Sequence, residues 1–177
     1  APDLNETKWS AWETAPQTYG GAYTLEKIKS AILNSQNSLD LSYHRMVDLA
    51  PLEEATHLRT LLLSANQISN LDPLSSLTSL EVLHLNSNKV SDLSPLSNLF
   101  ELKELILDDN ELEDLTGSDL SPLAGLTRLV KLSSADNKLS SLEHLGNLKL
   151  LEDLNLRGNV VSSLQTISSL IKVKTLD

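Results

Sequence analysis

The chain contains no cysteine. Disulfide scaffolds, thiolate zinc centres and thiol nucleophiles are excluded together. The compartment stays open, because a cysteine-free chain is at home on either side of a membrane. Aromatic residues make up only 3% of the 177 residues while hydrophobic residues reach 40%, so aliphatic side chains must build the core. Basic residues are scarce: 14 Lys and Arg stand against 24 Asp and Glu, a net charge of −10. Phosphate neutralisation needs a basic face, so nucleic acid is not an expected partner, and neither is an anionic membrane surface. No run is apolar enough to span a bilayer, which removes membrane insertion from the expectations. The six glycines are scattered and none precedes a G-K-[ST] triplet, so no phosphate-cradling loop is present. No cofactor is expected. The chain opens Ala1-Pro2-Asp3 without a methionine or an apolar leader, as a chain does after its secretion signal is removed. Export to the periplasm, cell surface or medium is the expectation, with the cytoplasm as the alternative.

What is present is a repeat. Leu58, Leu80 and Leu102 are 22 residues apart, Leu129 follows after 27, and Leu151 and Val173 continue at 22. Stepping back from Leu58 by the same 22 reaches Gln36. Each frame carries a local pattern, L-x-x-L-x-L-x-x-N: Leu80, Leu83, Leu85 and Asn88 in the clearest case, with Leu58 to Asn66, Leu102 to Asn110 and Leu151 to Asn159 matching it. The alternation L-x-L puts both leucines on one side of a short strand. Every repeat travels the same way, so the strands are parallel. No repeat can bury its leucines alone, and stacking makes one continuous core. The Asn stands where the chain turns inward, offering two donors and an acceptor to backbone groups that the turn leaves unpaired. Asn66, Asn88, Asn110, Asn137 and Asn159 are therefore expected to form a structural ladder. The second half of the frame also repeats, as Asp92-Leu93-Ser94-Pro95-Leu96 and Asp119-Leu120-Ser121-Pro122-Leu123. Ser before Pro suggests a tight helical turn capped by the serine, returning the chain on the outer side.

These frames resemble the leucine-rich-repeat family. The 22-residue period with N-x-[IVL]-S-[DN]-L-x-P-L, best seen in Asn88-Lys89-Val90-Ser91-Asp92-Leu93-Ser94-Pro95-Leu96, is similar to the bacterial internalin and phosphatase-regulator-like subclass. The resemblance covers residues 36–177 and implies an α/β solenoid. Its parallel β-sheet lines the concave face, short helical turns line the convex face, and a helical cap closes the amino-terminal end. The expected organisation is an extension and cap over residues 1–35, then six frames and the start of a seventh over 36–177. Within the cap, Leu25, Ile28, Ile32 and Leu33 share one face of a helix starting near Thr24. Trp9 and Trp12 are read as folding back over it.

The frames depart from the pattern in three places. His44 replaces the first Asn, Ser134 replaces a core leucine at a cost of roughly 1.5–3 kcal/mol of lost burial, and five extra residues fall near Leu115-Thr116-Gly117-Ser118-Asp119. The insertion follows the Asn and precedes the Ser-Pro segment, so it belongs to the rim or convex side. At the carboxyl end, Val173 and Leu176 open a frame that Asp177 ends. That uncapped end is expected either to continue in the native chain or to offer a contact surface.

Residues flanking the inward leucines point out of the concave sheet. The central column is Asp40, Leu62, His84, Ile106, Ser133, Asn155 and Asp177. On one side lie Ser38, Thr60, Val82, Glu104, Lys131 and Asp153, and on the other Ser42, Ser64, Asn86, Asp108, Ala135 and Arg157. Leu62, Val82 and Ile106 are apolar where no core faces them. His84 sits among them, with Glu104 and Asp108 at the border. Aliphatics rimmed by acids suit a protein partner with basic or apolar side chains. The candidate ligand-binding set is Asp40, Thr60, Leu62, Val82, His84, Asn86, Glu104, Ile106, Asp108, Lys131, Ser133, Asp153, Asn155 and Arg157. A smooth curved sheet offers no water-poor pocket for catalysis, so His84 beside Glu104 is read as surface chemistry. Glu104, Asp108 and Asp109 lack the spacing of a calcium loop, and no metal is expected. The reading is a non-catalytic protein-binding module, secreted or displayed by a bacterium; an intracellular regulatory or scaffold subunit is the alternative.

Overall fold

A computed structural model describes residues 4–113, 119–170, 172 and, by backbone, 175–176. The inserted Leu115–Ser118, Val173 and Asp177 lie outside the described residues, and with them the expectations about the insertion and the carboxyl end.

Seven short strands form one parallel sheet in chain order. They are β1 (Ser38–Asp40), β2 (Thr60–Leu62), β3 (Val82–His84), β4 (Glu104–Ile106), β5 (Lys131–Ser133), β6 (Asp153–Asn155) and β7 (Thr175–Leu176). The register aligns Leu39, Leu61, Leu83, Leu105, Leu132 and Leu154 as one row. These leucines and their frame partners make the single core, which also takes in Trp9 from the amino-terminal end. The chain returns through 3₁₀ turns at Ala50–Leu52, Asp72–Leu74, Ser94–Leu96, Ser121–Leu123, Glu143–Leu145 and Thr166–Ser169. This is an α/β leucine-rich-repeat arc.

The serine of Ser-Pro-Leu does not cap these turns. The residue two positions earlier does: Asp92 Oδ1 accepts from the backbone N–H of Ser94 at 2.8 Å, and Asp48, Asn70 and Asp119 accept in the same way from Ala50, Asp72 and Ser121. Asx side chains make this two-residue turn readily. The serine N–H is the group that needs a partner, and its own hydroxyl cannot reach back to it.

Each Asn joins two repeats. Asn88 Oδ1 accepts from Ile68 N at 3.1 Å, and its Nδ2 donates to Leu63 O at 2.9 Å and Leu85 O at 3.0 Å. Asn66 donates to Leu41 O and Leu63 O, and Asn110 to Leu85 O and Leu107 O. Asn137 donates to Leu107 O and Ser134 O, and Asn159 to Ser134 O and Leu156 O. Most of these carbonyls therefore receive one amide from their own repeat and one from the next. The result is an unbroken line of alternating side-chain amides and backbone carbonyls along the solenoid. It passes the 27-residue frame unchanged. The residue before each ladder position takes positive φ: Tyr43, Ala65, Ser87, Asp109, Asp136 and Gly158. In the first turn His44 stands in for Asn and folds its Nδ1 onto Ser42 O at 2.7 Å.

Two helices cover the amino-terminal end of the core. Helix α1 (Glu6–Thr14) begins at Asn5, whose side chain accepts from Lys8 N, and α2 (Ala22–Leu33) starts two residues earlier than the sequence suggests. Leu25, Ile28, Ala31 and Ile32 are buried, whereas Leu33 is 44% exposed. Ala31 sits on the apolar face where Leu33 was expected. Trp9 is buried and meets Trp12 edge-on at 5.1 Å, so both tryptophans fold back over the cap. Helix α1 was not foreseen; its sequence carries little apolar periodicity beyond Trp9 and Trp12.

Candidate binding surface

The strands place two side-chain columns on the concave face. The first, Thr60, Val82, Glu104, Lys131 and Asp153, and the second, Leu62, His84, Ile106, Ser133 and Asn155, follow from the strand register. Period-two alternation sends the leucine between them into the core. Asp40 begins the second column on β1. Leu62, Val82 and Ile106 are half-buried rather than fully exposed. Strands about 4.8 Å apart press neighbouring side chains together, and the inward curve tightens this. The apolar patch is smaller than the sequence suggests.

Polar groups on this face are partly committed to one another. His84 Nε2 lies 2.7 Å from Glu104 Oε1, and Lys131 Nζ lies 3.7 Å from the same oxygen. Asp108 turns away from His84: its Oδ1 accepts from Ser133 Oγ at 2.5 Å and from Ala135 N at 2.9 Å. Ser64 Oγ donates to Asn86 Oδ1, and Arg157 N to Asn155 Oδ1. Asp40 Oδ1 accepts from Ser42 N at 2.9 Å, and that hydrogen bond holds its carboxyl below the ordinary range. Arg157 extends to Asp136 at 3.6 Å. At one rim Glu81 bridges Arg59 at 2.9 Å and Lys103 at 2.7 Å, and the Lys103 bond leads in drawing its carboxyl below the usual value.

The sheet is not smooth. A hollow of about 450 Å³ opens over β3 to β6, lined by His84, Ile106, Asp108, Lys131, Asp153 and Asn155 among others. Its floor is low because Ser133 is small and buried where Leu62 or Ile106 stand in other frames. The expectation of a smooth face is corrected at this residue. Thr60 and Leu62 lie outside the hollow. Among the described residues no three or more His, Asp or Glu gather as a metal site would need, and no helix is long and apolar enough to cross a membrane.

The solenoid, its ladder and its parallel sheet make up a leucine-rich-repeat fold. A family model described as Leucine Rich repeats (2 copies) matches residues 56–98. Internalin inlF of Listeria monocytogenes is similar at 29% identity with a TM-score of 0.70, over 88% of this chain and 49% of that one. Internalin C2 (inlC2) of the same organism is similar at 26% identity and a TM-score of 0.67, covering 85% of this chain and 80% of its own. The ectodomain of the plant membrane receptor kinase GASSHO1/SCHENGEN3 from Arabidopsis thaliana, solved in complex with CASPARIAN STRIP INTEGRITY FACTOR 2, is similar at 27% identity and a TM-score of 0.67, over 79% of this chain and 18% of that one. No curated protein sequence matches. The chain spans about half the length of internalin inlF. Within the leucine-rich-repeat class it is internalin-like.

Proposed function

We propose that this chain is a non-catalytic module that binds a protein partner on its concave face, across β2 to β6. The hollow over β3–β6 carries this reading. It combines the concavity, the half-buried Ile106 and the ring of Asp108, Lys131, Asp153 and Asn155 that a specific protein contact requires. Thr60, Leu62, Val82, Asn86 and Arg157 extend the contact beyond it, and Asp40 does so at the cap side. His84 serves as a hydrogen-bonding surface residue, since its nearest carboxylate already shares Lys131. A secreted or cell-surface bacterial setting agrees with the likeness to Listeria internalins.

Capture of partners by the purified chain, compared with a Leu62→Arg/Ile106→Glu double variant, tests the surface. Loss of the captured protein with the double variant is the expected result. A partner held equally well by both overturns the concave-face assignment. Fractionation of the source cells tests the setting, with recovery in the cytosol alone counting against export.

A further inference from the structure

The rim where the cap meets the first turn holds features that the concave face does not use. Two of the three tyrosines lie there in water, Tyr43 at 81% exposure and Tyr23 at 71%. The Tyr23 ring runs nearly parallel to that of His44, 14° apart with centroids at 6.3 Å. Gly20, Thr24 and Arg45 complete the walls of an open hollow of about 410 Å³ that these rings share. Rings this exposed add little to folding, because the apolar gain comes from area removed from water.

The backbone holds Tyr43 outward. In later turns the equivalent positive-φ position is filled by Ala65, Ser87, Asp109, Asp136 or Gly158, all small or polar, whereas Tyr43 adopts φ 61°. A bulky residue is poorly suited to that region. Arg45 follows at φ 57°, a second left-handed residue that no later turn repeats among the described residues. The turn is firmly backed. Tyr43 N donates to Ser64 O at 2.9 Å, His44 N to Asn66 Oδ1 at 3.1 Å, and Val47 N and Asp48 N both reach Thr18 O on the cap. Gly20 permits this docking: a Cβ there would stand 2.5 Å from His44 O. The aromatic surface is thus formed before a partner arrives, which lowers the ordering cost of binding.

Charge indicates the ligand. The chain is strongly acidic, yet Arg45 faces this hollow without a carboxylate partner among the described residues, while Arg59, Arg128 and Arg157 are each ion-paired. Asp40, at the end of β1, is already turned to Ser42 N, and Lys27 Nζ to Asp40 O. We infer that this rim docks an extended, acidic, proline-containing segment of a protein partner. Proline rings lie against Tyr23 and Tyr43, as extended proline-rich chains do in aromatic-lined grooves. A glutamate or aspartate carboxylate takes the guanidinium fork of Arg45. The proposal stands apart from the concave-face reading and survives its failure.

Titration of the isotopically labelled chain with a synthetic repeating Pro-Pro-Glu peptide, followed by amide chemical shifts, tests it. Shifts are expected within residues 20–27 and 42–47. Tyr43→Ala and Arg45→Glu each weaken binding roughly tenfold or more, as truncated tyrosine and arginine anchors do. Tyr43→Phe and Ile106→Glu leave it unchanged, and a Pro-Pro-Lys peptide binds far more weakly. Tyr43 and Arg45 are exposed, and an unchanged urea midpoint verifies the fold of each variant. No rim shifts at about 1 mM peptide, an equal response to the two peptides, or shifts on β3–β6 instead overturns the proposal. So does a mannopentaose that moves the rim amides while the peptide does not.

Discussion

Replacing Asn88 by alanine removes one rung from the ladder, and the consequences can be followed group by group. Ile68 N loses its acceptor inside the core, where Ile68 is fully buried. An orphaned buried N–H costs about 1–3 kcal/mol. Leu63 O and Leu85 O fare better, because Asn66 and Asn110 still donate to them at 2.9 and 3.0 Å. Each of those carbonyls loses only its second donor, a further ~0.5 kcal/mol apiece at the lower end of net hydrogen-bond values. The sum is about 3 kcal/mol, or roughly 6–12 °C in Tm for a domain of this size. Urea unfolding followed by circular dichroism, with a calorimetric scan, measures it. Asn88→Asp keeps the acceptor for Ile68 N but points a carboxylate oxygen at two carbonyls, so it is expected to be worse than alanine. Asn98→Ala, at an exposed position on the return turn, is the control and should be near neutral. A loss at position 88 no larger than at position 98 would refute the ladder as a source of stability.

Two further outcomes follow from single groups. Ser134 is fully buried and its Oγ has no hydrogen-bond partner among the described residues, so Ser134→Ala should stabilise the chain by about 1 kcal/mol in the same urea assay; a destabilised variant would show that the hydroxyl is satisfied. Asp92 and Asp119 are held below the ordinary carboxylate range, first by the hydroxyls of Ser94 and Ser121 and then by their backbone N–H groups. A depressed folded pKa contributes stability above the unfolded value of about 3.9 and loses it as pH falls through the folded value. The urea midpoint of the wild type should therefore exceed that of Asp92→Asn/Asp119→Asn at pH 7, with the gap closing below about pH 4. A gap that persists at pH 2–3 contradicts that linkage.

The repeat was legible because its cause is local and recurs. Leucine spacing sets the strand register, and Asn88 needs the same partners as Asn66 and Asn110. What escaped depends on relations between frames or on single positions. Ser133 reads as one more small polar residue in its column, yet between the larger Ile106 and Asn155 it lowers the floor of the hollow. Asp92 reads as an ordinary surface acid until the turn leaves Ser94 N without a partner. Helix α1 is short and mostly exposed, so little in its pattern separates it from a loop; the burial of Trp9 and the packing of Trp12 tie it to the core. The rim at Tyr43 was invisible for another reason: Tyr23 is distant in sequence and meets His44 only after the cap has docked.

The register across β4 and β5 is retained although their frame is five residues longer than its neighbours, and Asn137 still reaches Leu107 O at 3.0 Å. The five extra residues thus leave the register of the sheet unshifted. The inner face behaves as a tape on which each frame writes three side chains into fixed slots. Letters can be exchanged one at a time, and whole words spliced in or out, without shifting the reading of those already there. A scaffold of this kind can change its partner by substitution and enlarge its footprint by duplication, and the two routes do not interfere.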